Sequence, residues 1–153
     1  MTSFPIIRRS LRILIFPSVL LFFFVFLKFP HLAIADYPDG YYELYGIIDG
    51  DTFELTDGTR VRVIGVDAPE IGQTCSTEAT RHLALLIEEQ KGYLEKDVSE
   101  ADSYGRLLRY VYVDGTFVNY ARVSDGYAYA VEYPPDTKYA PQLASAQEDA
   151  PYN

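Results

Sequence analysis

The sequence predicts an α+β fold, mainly β, in which five strands close into a small barrel flanked by about three helices. Segments rich in β-branched and aromatic residues alternate with Asp-Gly pairs in the first half of the chain. One helical pattern separates the third strand segment from the fourth, and shorter helical patterns follow the fifth. Closure of the five strands leaves no exposed strand edge, which favours a barrel over an open sheet.

Three strand segments come first and form an antiparallel meander. They span Tyr41–Ile48, Thr52–Leu55 and Thr59–Val66. The segments Asp49–Asp51 and Asp57–Gly58 separate them, and Asp-Gly is a pair that favours tight turns. Taken alone, the first of these segments is most simply a hairpin turn.

A helix is predicted from about Thr77 to Gln90. Ala79, Leu83 and Leu86 recur there at the spacing of one helix face. Gly92 follows at a position that suits the end of a helix.

In the second half of the chain, the sequence predicts two further strands and two short helices. The strands span Tyr93–Ser99 and Leu107–Val113, and the second is apolar on both faces, so it is expected to be central. The helices span Val118–Ser124 and Gln142–Asp149, with a strand-like piece at Tyr127–Glu132 between them.

Residues 1–35 have the order of a secretory signal rather than of a barrel strand. Arg8, Arg9 and Arg12 precede the apolar run Ile13–Leu27, and Ala33–Ala35 supplies a small-x-small cleavage site. The run of about 15 residues is shorter than the roughly 20 that a membrane-spanning helix needs. We therefore expect cleavage after Ala35, a domain over 36–153, and a secreted or periplasmic protein.

An uncleaved membrane anchor is the alternative. Lys28 and Pro30 leave a long gap between the apolar run and the cleavage site. In that case the domain faces outward from the membrane, because the basic flank stays in the cytoplasm. Membrane contact is expected only if this segment is retained.

The charge of the chain argues against binding nucleic acid through a broad basic surface. The formal net charge is −9, and residues 1–35 hold four basic residues and no acidic one, so residues 36–153 carry −13. Such a protein repels polyanions at long range. Contact with nucleic acid must then be local and assisted by a cation.

The single cysteine, Cys75, excludes an internal disulfide, so the core must supply the stability. A buried, unreactive thiol is the usual state of such a residue.

Unlike charges recur beside the predicted turns. Asp51 begins one strand and Asp67 follows the third, so the two carboxylates meet if these strands pair. Paired carboxylates repel each other unless a cation lies between them, and calcium prefers oxygen ligands. Arg62 and Arg106 offer guanidinium groups that match phosphate geometry. Together these groups suit phosphoryl transfer.

Three segments that contain these residues occur in order: IDGDTF at 48–53, RVIGVDAPE at 62–70 and DSYGR at 102–106. They resemble the signature segments of the staphylococcal nuclease family, and the similarity extends from about Tyr45 to Gln147. The resemblance implies an OB-fold barrel with flanking helices.

The resemblance also implies a role for each site residue. Asp51 and Asp67 are expected to bind calcium, with the carbonyl of Ala68 as a further ligand. Glu70 is expected to act as general base or to orient the attacking water. Arg62 and Arg106 are expected to hold the scissile phosphate. Tyr104 is expected to contact the nucleotide, and Asp49 is expected to support the metal site indirectly.

The predicted function is therefore an exported, calcium-dependent nuclease that acts on DNA and RNA as a monomer and leaves 3′-phosphate ends. No protein partner is implied. A non-catalytic OB-fold module that binds nucleic acid, possibly tethered to a membrane, is the alternative. Such a module needs neither the carboxylate pair nor Glu70, and it gains from positive charge, which this chain lacks.

Overall fold

A computed structural model describes residues 37–151, and the predicted signal or anchor at 1–35 lies outside them. These residues form strands and helices in the following order: β1 (Gly40–Ile47), β2 (Thr52–Leu55), β3 (Arg60–Val63), β4 (Val66–Asp67), α1 (Ser76–Ile87), β5 (Lys91–Glu95), β6 (Leu107–Val113), β7 (Thr116–Phe117), α2 (Val118–Ser124), β8 (Tyr129–Ala130) and α3 (Ala140–Asp149).

Five strands form the closed barrel that the sequence predicts. The order is β3-β2-β1-β5-β6, and β3 also pairs with β6 in parallel, which closes the sheet on itself. Val61 lies opposite Leu107, and Arg62 lies opposite Leu108. The predicted α+β, OB-fold class is confirmed, with three helices outside the barrel.

The core fills the barrel and the space beneath α1. Alternate residues of each strand point inward, so that aliphatic side chains and Phe53 meet at the centre. Helix α1 covers the barrel with Ala79, Leu83 and Ile87, which recur at helical spacing and are buried. Central β6 is buried along most of its length, as its two apolar faces predict.

The predicted end of α1 at Gln90 is wrong by one turn. The helix ends at Ile87, and Glu89 takes a left-handed conformation with φ of 55°. Gly92 does not end the helix but lies within β5, where a Cβ atom would come 2.7 Å from the Leu44 Cδ1 atom. Glycine is therefore needed there for close packing of β5 against β1.

The third strand is also shorter than predicted. β3 ends at Val63, and a turn at 64–65 redirects the chain into β4, which pairs antiparallel with β8. β5 begins at Lys91 rather than Tyr93, because its first residues pair with Gly40–Glu43 of β1. The redirection after Val63 sends Asp67 away from the barrel wall, and Asp67 is consequently half-exposed.

Cys75 is exposed, which corrects the expectation of a buried thiol. It precedes α1 with φ of 65°, a left-handed conformation in the exposed loop that leads into the helix. Within residues 37–151, no helix has both the length and the apolar character required to cross a membrane.

Candidate active site

A cavity of about 360 Å³ opens on the side of the barrel where β2 and β3 meet. β2 runs antiparallel to β3 with Thr52 opposite Arg62, so the residue before β2 lies next to Arg62. β6 runs beside β3, which brings the preceding loop to the same region. Seven of the eight residues that were given a role line this cavity: Asp49, Asp51, Arg62, Asp67, Glu70, Tyr104 and Arg106.

Arg62 lies between the two aspartates. One atom, Nη2, is 3.2 Å from Asp51 Oδ2 and 3.2 Å from Asp67 Oδ1. The other terminal nitrogen, Nη1, donates hydrogen bonds to the carbonyl oxygens of Val63 and Val66 at 3.1 and 2.7 Å. These four contacts fix the guanidinium, and they bring both carboxylates close to a single point.

Asp51 is buried, and its carboxylate joins the two loops of the site. Its Oδ2 atom accepts the Ala68 N–H at 2.9 Å, and its Oδ1 atom accepts the Thr52 hydroxyl at 3.0 Å. Burial raises the pKa of Asp51 to about 6, although the positive charge of Arg62 opposes this. Ala68, the remaining predicted residue, contacts Asp51 through its backbone N–H.

Glu70 is exposed at the cavity rim, and its backbone is held in a turn. The Glu70 N–H donates to Gln73 Oε1 at 2.9 Å, and the Gln73 N–H donates to the Glu70 carbonyl at 2.8 Å. The side chain thus projects from a fixed backbone into water at the edge of the cavity.

Arg106 is positioned by Asp102. The Arg106 Nε atom donates to Asp102 Oδ2 at 2.7 Å, and Asp102 Oδ1 accepts the backbone N–H groups of Tyr104 and Arg106. Burial acts to raise the pKa of Asp102, but the hydrogen bonds from Arg106 outweigh it and lower the pKa. Arg106 Nη1 also donates to the Thr52 hydroxyl at 3.2 Å, which ties the loop to β2.

Comparison with known proteins identifies the family to which the chain is similar. Residues 60–153 match the family described as "Staphylococcal nuclease homologue". The chain belongs to the staphylococcal nuclease family.

Curated relatives agree with this assignment. The Thermonuclease of Staphylococcus intermedius is 37% identical over 117 residues, which cover 68% of this chain and 67% of that protein. The Thermonuclease of Staphylococcus hyicus is 36% identical over 122 residues, with 71% and 70% covered. Endonuclease YncB of Bacillus subtilis (strain 168) is 37% identical over 114 residues, with 67% and 54% covered.

The cavity of this staphylococcal nuclease family member offers hard oxygen donors for a cation. Asp51 and Asp67 each contact the same Arg62 nitrogen, so both carboxylates face one region of the cavity. Within residues 37–151, no group of three or more His, Cys, Asp or Glu side chains is arranged to hold a metal. Two carboxylates do not complete a calcium shell, so backbone oxygen and water would have to supply the other ligands of an ion bound here.

Two acidic residues that line the cavity, Asp102 and Asp136, received no role from the sequence. Asp102 belongs to the DSYGR segment, and its place four residues before Arg106 could have suggested their ion pair. Asp136 is buried at the opposite wall, where its Oδ1 atom accepts the N–H groups of Val98 and Ser99. No local pattern marks Asp136, because its partners are distant in the sequence.

Proposed function

We propose that this protein is an exported, calcium-dependent nuclease that hydrolyses phosphodiester bonds of DNA and RNA and leaves 3′-phosphate ends. The observation that carries the proposal is the cavity itself, which the carboxylates of Asp51, Asp67 and Glu70 line together with two guanidinium groups. Opposite charges of this kind suit a reaction that brings anionic phosphate and an oxygen nucleophile together.

Asp51 and Asp67 would hold the ion through their carboxylates, and Ala68 through its carbonyl oxygen. Bound calcium supplies the positive charge that neutralises the phosphate and lowers the cost of bringing water to phosphorus. The burial of Asp51 supports this assignment, because a buried carboxylate with its pKa raised to about 6 gains most from a nearby cation.

Glu70 orients the attacking water and accepts its proton at a carboxylate oxygen. Its exposure at the rim and its fixed backbone leave the carboxylate accessible to solvent. Water attacks phosphorus in line with the 5′-oxygen, so that a bond from the water oxygen to phosphorus forms while the bond from phosphorus to the 5′-oxygen breaks. The 5′-oxygen takes a proton from solvent as it leaves, and the phosphate remains on the 3′ side.

Arg62 and Arg106 bind the non-bridging oxygens of the phosphate and stabilise the charge that develops on them. Arg106 has two features that suit this role: its guanidinium is fixed by Asp102, and it lies over the ring of Tyr104, with Cζ 5.5 Å from the ring centroid. Tyr104 is 84% exposed, which leaves its other face available to the nucleotide.

The decisive test compares wild-type fragment 36–153 with Glu70→Gln on single-stranded DNA, in calcium and in chelator. We expect cleavage only with calcium, and a loss of roughly 10²–10⁴-fold in kcat in the variant, the size of a general-base effect. Glu148→Gln is the matched control, because Glu148 is exposed on α3, outside the cavity. Full activity in chelator contradicts the proposal, and binding without cleavage supports the non-catalytic alternative.

Export is proposed together with cleavage after Ala35, which leaves a mature domain that begins at Asp36. The proposal rests on the basic start, apolar run and small residues of the first 35 positions. Mass spectrometry of the protein from an expressing culture should give the mass of residues 36–153. The mass of the full chain in the membrane fraction would instead establish the anchored form.

A further inference from the structure

Arg122 of α2 is fully buried directly beneath the loop that precedes β2. Its Nη2 atom donates to the carbonyl oxygen of Gly50 at 2.7 Å and to that of Tyr127 at 3.2 Å. Its Nε atom has no hydrogen-bond partner among residues 37–151. Burial lowers the pKa of Arg122 to about 10 against the opposing charges of Asp51 and Asp125, so the group stays charged at neutral pH.

The Gly50 carbonyl belongs to the residue directly before Asp51, a proposed metal ligand. A Cβ atom on Gly50 would come 2.4 Å from the Cβ of Ala68 and 3.0 Å from that of Ala79, so the backbone is pressed between these two residues. The next residue, Asp51, accepts the Ala68 N–H at 2.9 Å. Arg122 therefore holds the Gly50 peptide next to Asp51. Through Asp51, this peptide is linked to Ala68, so two loops that carry proposed metal ligands, 49–51 and 67–68, are joined here.

A second set of contacts fixes the guanidinium of Arg122. Its Nη1 atom lies 2.7 Å from His82 Nδ1, and His82 Nε2 lies 3.1 Å from Asp125 Oδ2. An arginine can only donate, so Nδ1 must accept and the ring proton must be on Nε2, where it faces the carboxylate. The imidazole ring also stacks on Tyr127 with centroids 4.1 Å apart.

Burial alone does not account for these contacts. A buried cation costs free energy, and an apolar residue of similar size commonly fills such a position at lower cost. Arg109 provides the comparison, because it too is fully buried with an unpartnered Nε atom among the described residues. Arg109 instead binds Glu100 and the carbonyl of Tyr37, away from the ligand-bearing loops.

We propose that Arg122 is a positioning residue for the metal site, which fixes the Asp49–Asp51 loop through the Gly50 carbonyl and is itself oriented by His82 and Asp125. The inference rests on the proposed function, because it concerns the same calcium ligands. Arg122, His82 and Asp125 would then act on the metal site without contacting the metal or the substrate.

The test measures the calcium Kd of the full chain by isothermal titration calorimetry, with urea unfolding in parallel. Arg122→Met should raise the Kd about 10-fold or more, the usual effect of removing a group that orients a metal ligand. The kcat at saturating calcium should fall much less than the affinity. Arg122→Lys, which retains a donor for the Gly50 carbonyl, should restore part of the affinity.

Arg109→Met is the matched control, and it should lower stability while the calcium Kd stays within about 2-fold, since its partners lie away from the ligands. Equal Kd values for Arg122→Met and wild type, or an equal rise in both Met variants, overturn the positioning role. His82→Phe keeps the stacking on Tyr127 and removes both the acceptor for Arg122 and the donor to Asp125, so it should raise the Kd even if Arg122→Met fails to fold. An unchanged Kd in His82→Phe then overturns the role.

The wild-type titration separates the two proposals. If wild type binds no calcium, the proposed function and the positioning role both fail. If wild type binds calcium and the Arg122 and His82 variants bind it equally well, only the positioning role fails.

Discussion

Asp51 carries a carboxylate that the fold buries without fully compensating its charge. The pKa of Asp51 is raised to about 6 by burial, even with Arg62 at 3.2 Å. An unfolded Asp has a pKa near 4, so between about pH 4 and 6 the folded state binds more protons than the unfolded state. Stability without metal therefore falls as pH rises through this window, and at pH 7 the charged Asp51 destabilises the fold.

Asp51→Asn should for this reason stabilise the metal-free protein at pH 7, by on the order of 1–3 kcal/mol. The amide oxygen can still accept the Ala68 N–H, and the Thr52 hydroxyl can rotate to accept from the amide nitrogen. Urea unfolding in chelator measures the effect.

The same variant should lose the stabilisation that added calcium gives to wild type, because it lacks one proposed ligand. Asp149→Asn provides the control, since Asp149 is exposed in the last turn of α3, outside the cavity. A lower free energy of unfolding for Asp51→Asn in chelator would show that Arg62 does compensate the buried charge.

The sequence could predict that several proposed site residues share one region, because the chemistry restricts residue type and spacing. Asp51, Arg62 and Glu70 stand in segments whose order is specific, and all three line one cavity. Arg109 and Arg122 could not be predicted, because an arginine in an apolar pattern is ordinarily read as a solvent-exposed position. Only the distant partners of these residues reveal that they are buried.

At the scale of elements, the sequence was most informative where turn residues mark both ends. β2, β6 and α2 have the predicted bounds. An Asp-Gly pair directly follows β6 and α2, and one residue separates β2 from the next such pair. The end of α1 was wrong because Glu88–Gln90 is as polar as an exposed helical turn. Pairing of Lys91 with Glu43 in the sheet decides the boundary instead, and no local pattern records that pairing.

Helix α3 supports the turn that leads from β3 to Asp67. Leu143 is 1% exposed. Its Cδ1 atom lies only 2.5 Å from the position that a Cβ atom on Gly65 would take, so the side chain packs directly on this turn. Leu143→Ala should cost about 2–5 kcal/mol of unfolding free energy, as expected for a buried leucine that leaves a cavity. Chemical denaturation measures the loss.

Gln142→Ala tests the specificity of this effect, because Gln142 is exposed on the same helix. It should change stability by less than about 0.5 kcal/mol. A comparable loss in both variants would mean that α3 contributes through helix formation rather than through packing of Leu143.

The molecule carries a strongly acidic surface, and the arginines that line its cavity lie among carboxylates. Residues 36–153 carry a formal charge of −13, while the two arginines of the cavity face the proposed phosphate position. Polymeric DNA must approach against long-range repulsion, which added salt screens.

We therefore expect kcat/KM on long single-stranded DNA to rise relative to that on a dinucleotide as NaCl increases from about 10 to 150 mM, by roughly 2- to 10-fold. Both substrates contact the same cavity, so the ratio isolates the long-range contribution. Calcium is kept saturating throughout. A ratio that falls with salt would indicate an extended cationic track for the strand.

The parallel pairing of β3 with β6 also determines when this chain can fold. The pairing joins Val61–Val63 to Leu107–Arg109, and every residue between them must be present before the barrel can close. A nascent or truncated chain that stops short of β6 keeps an open edge at β3, and such edges are prone to self-association. Because closure depends on contacts so remote in sequence, folding should be slow for a domain of this size and should complete only late in synthesis.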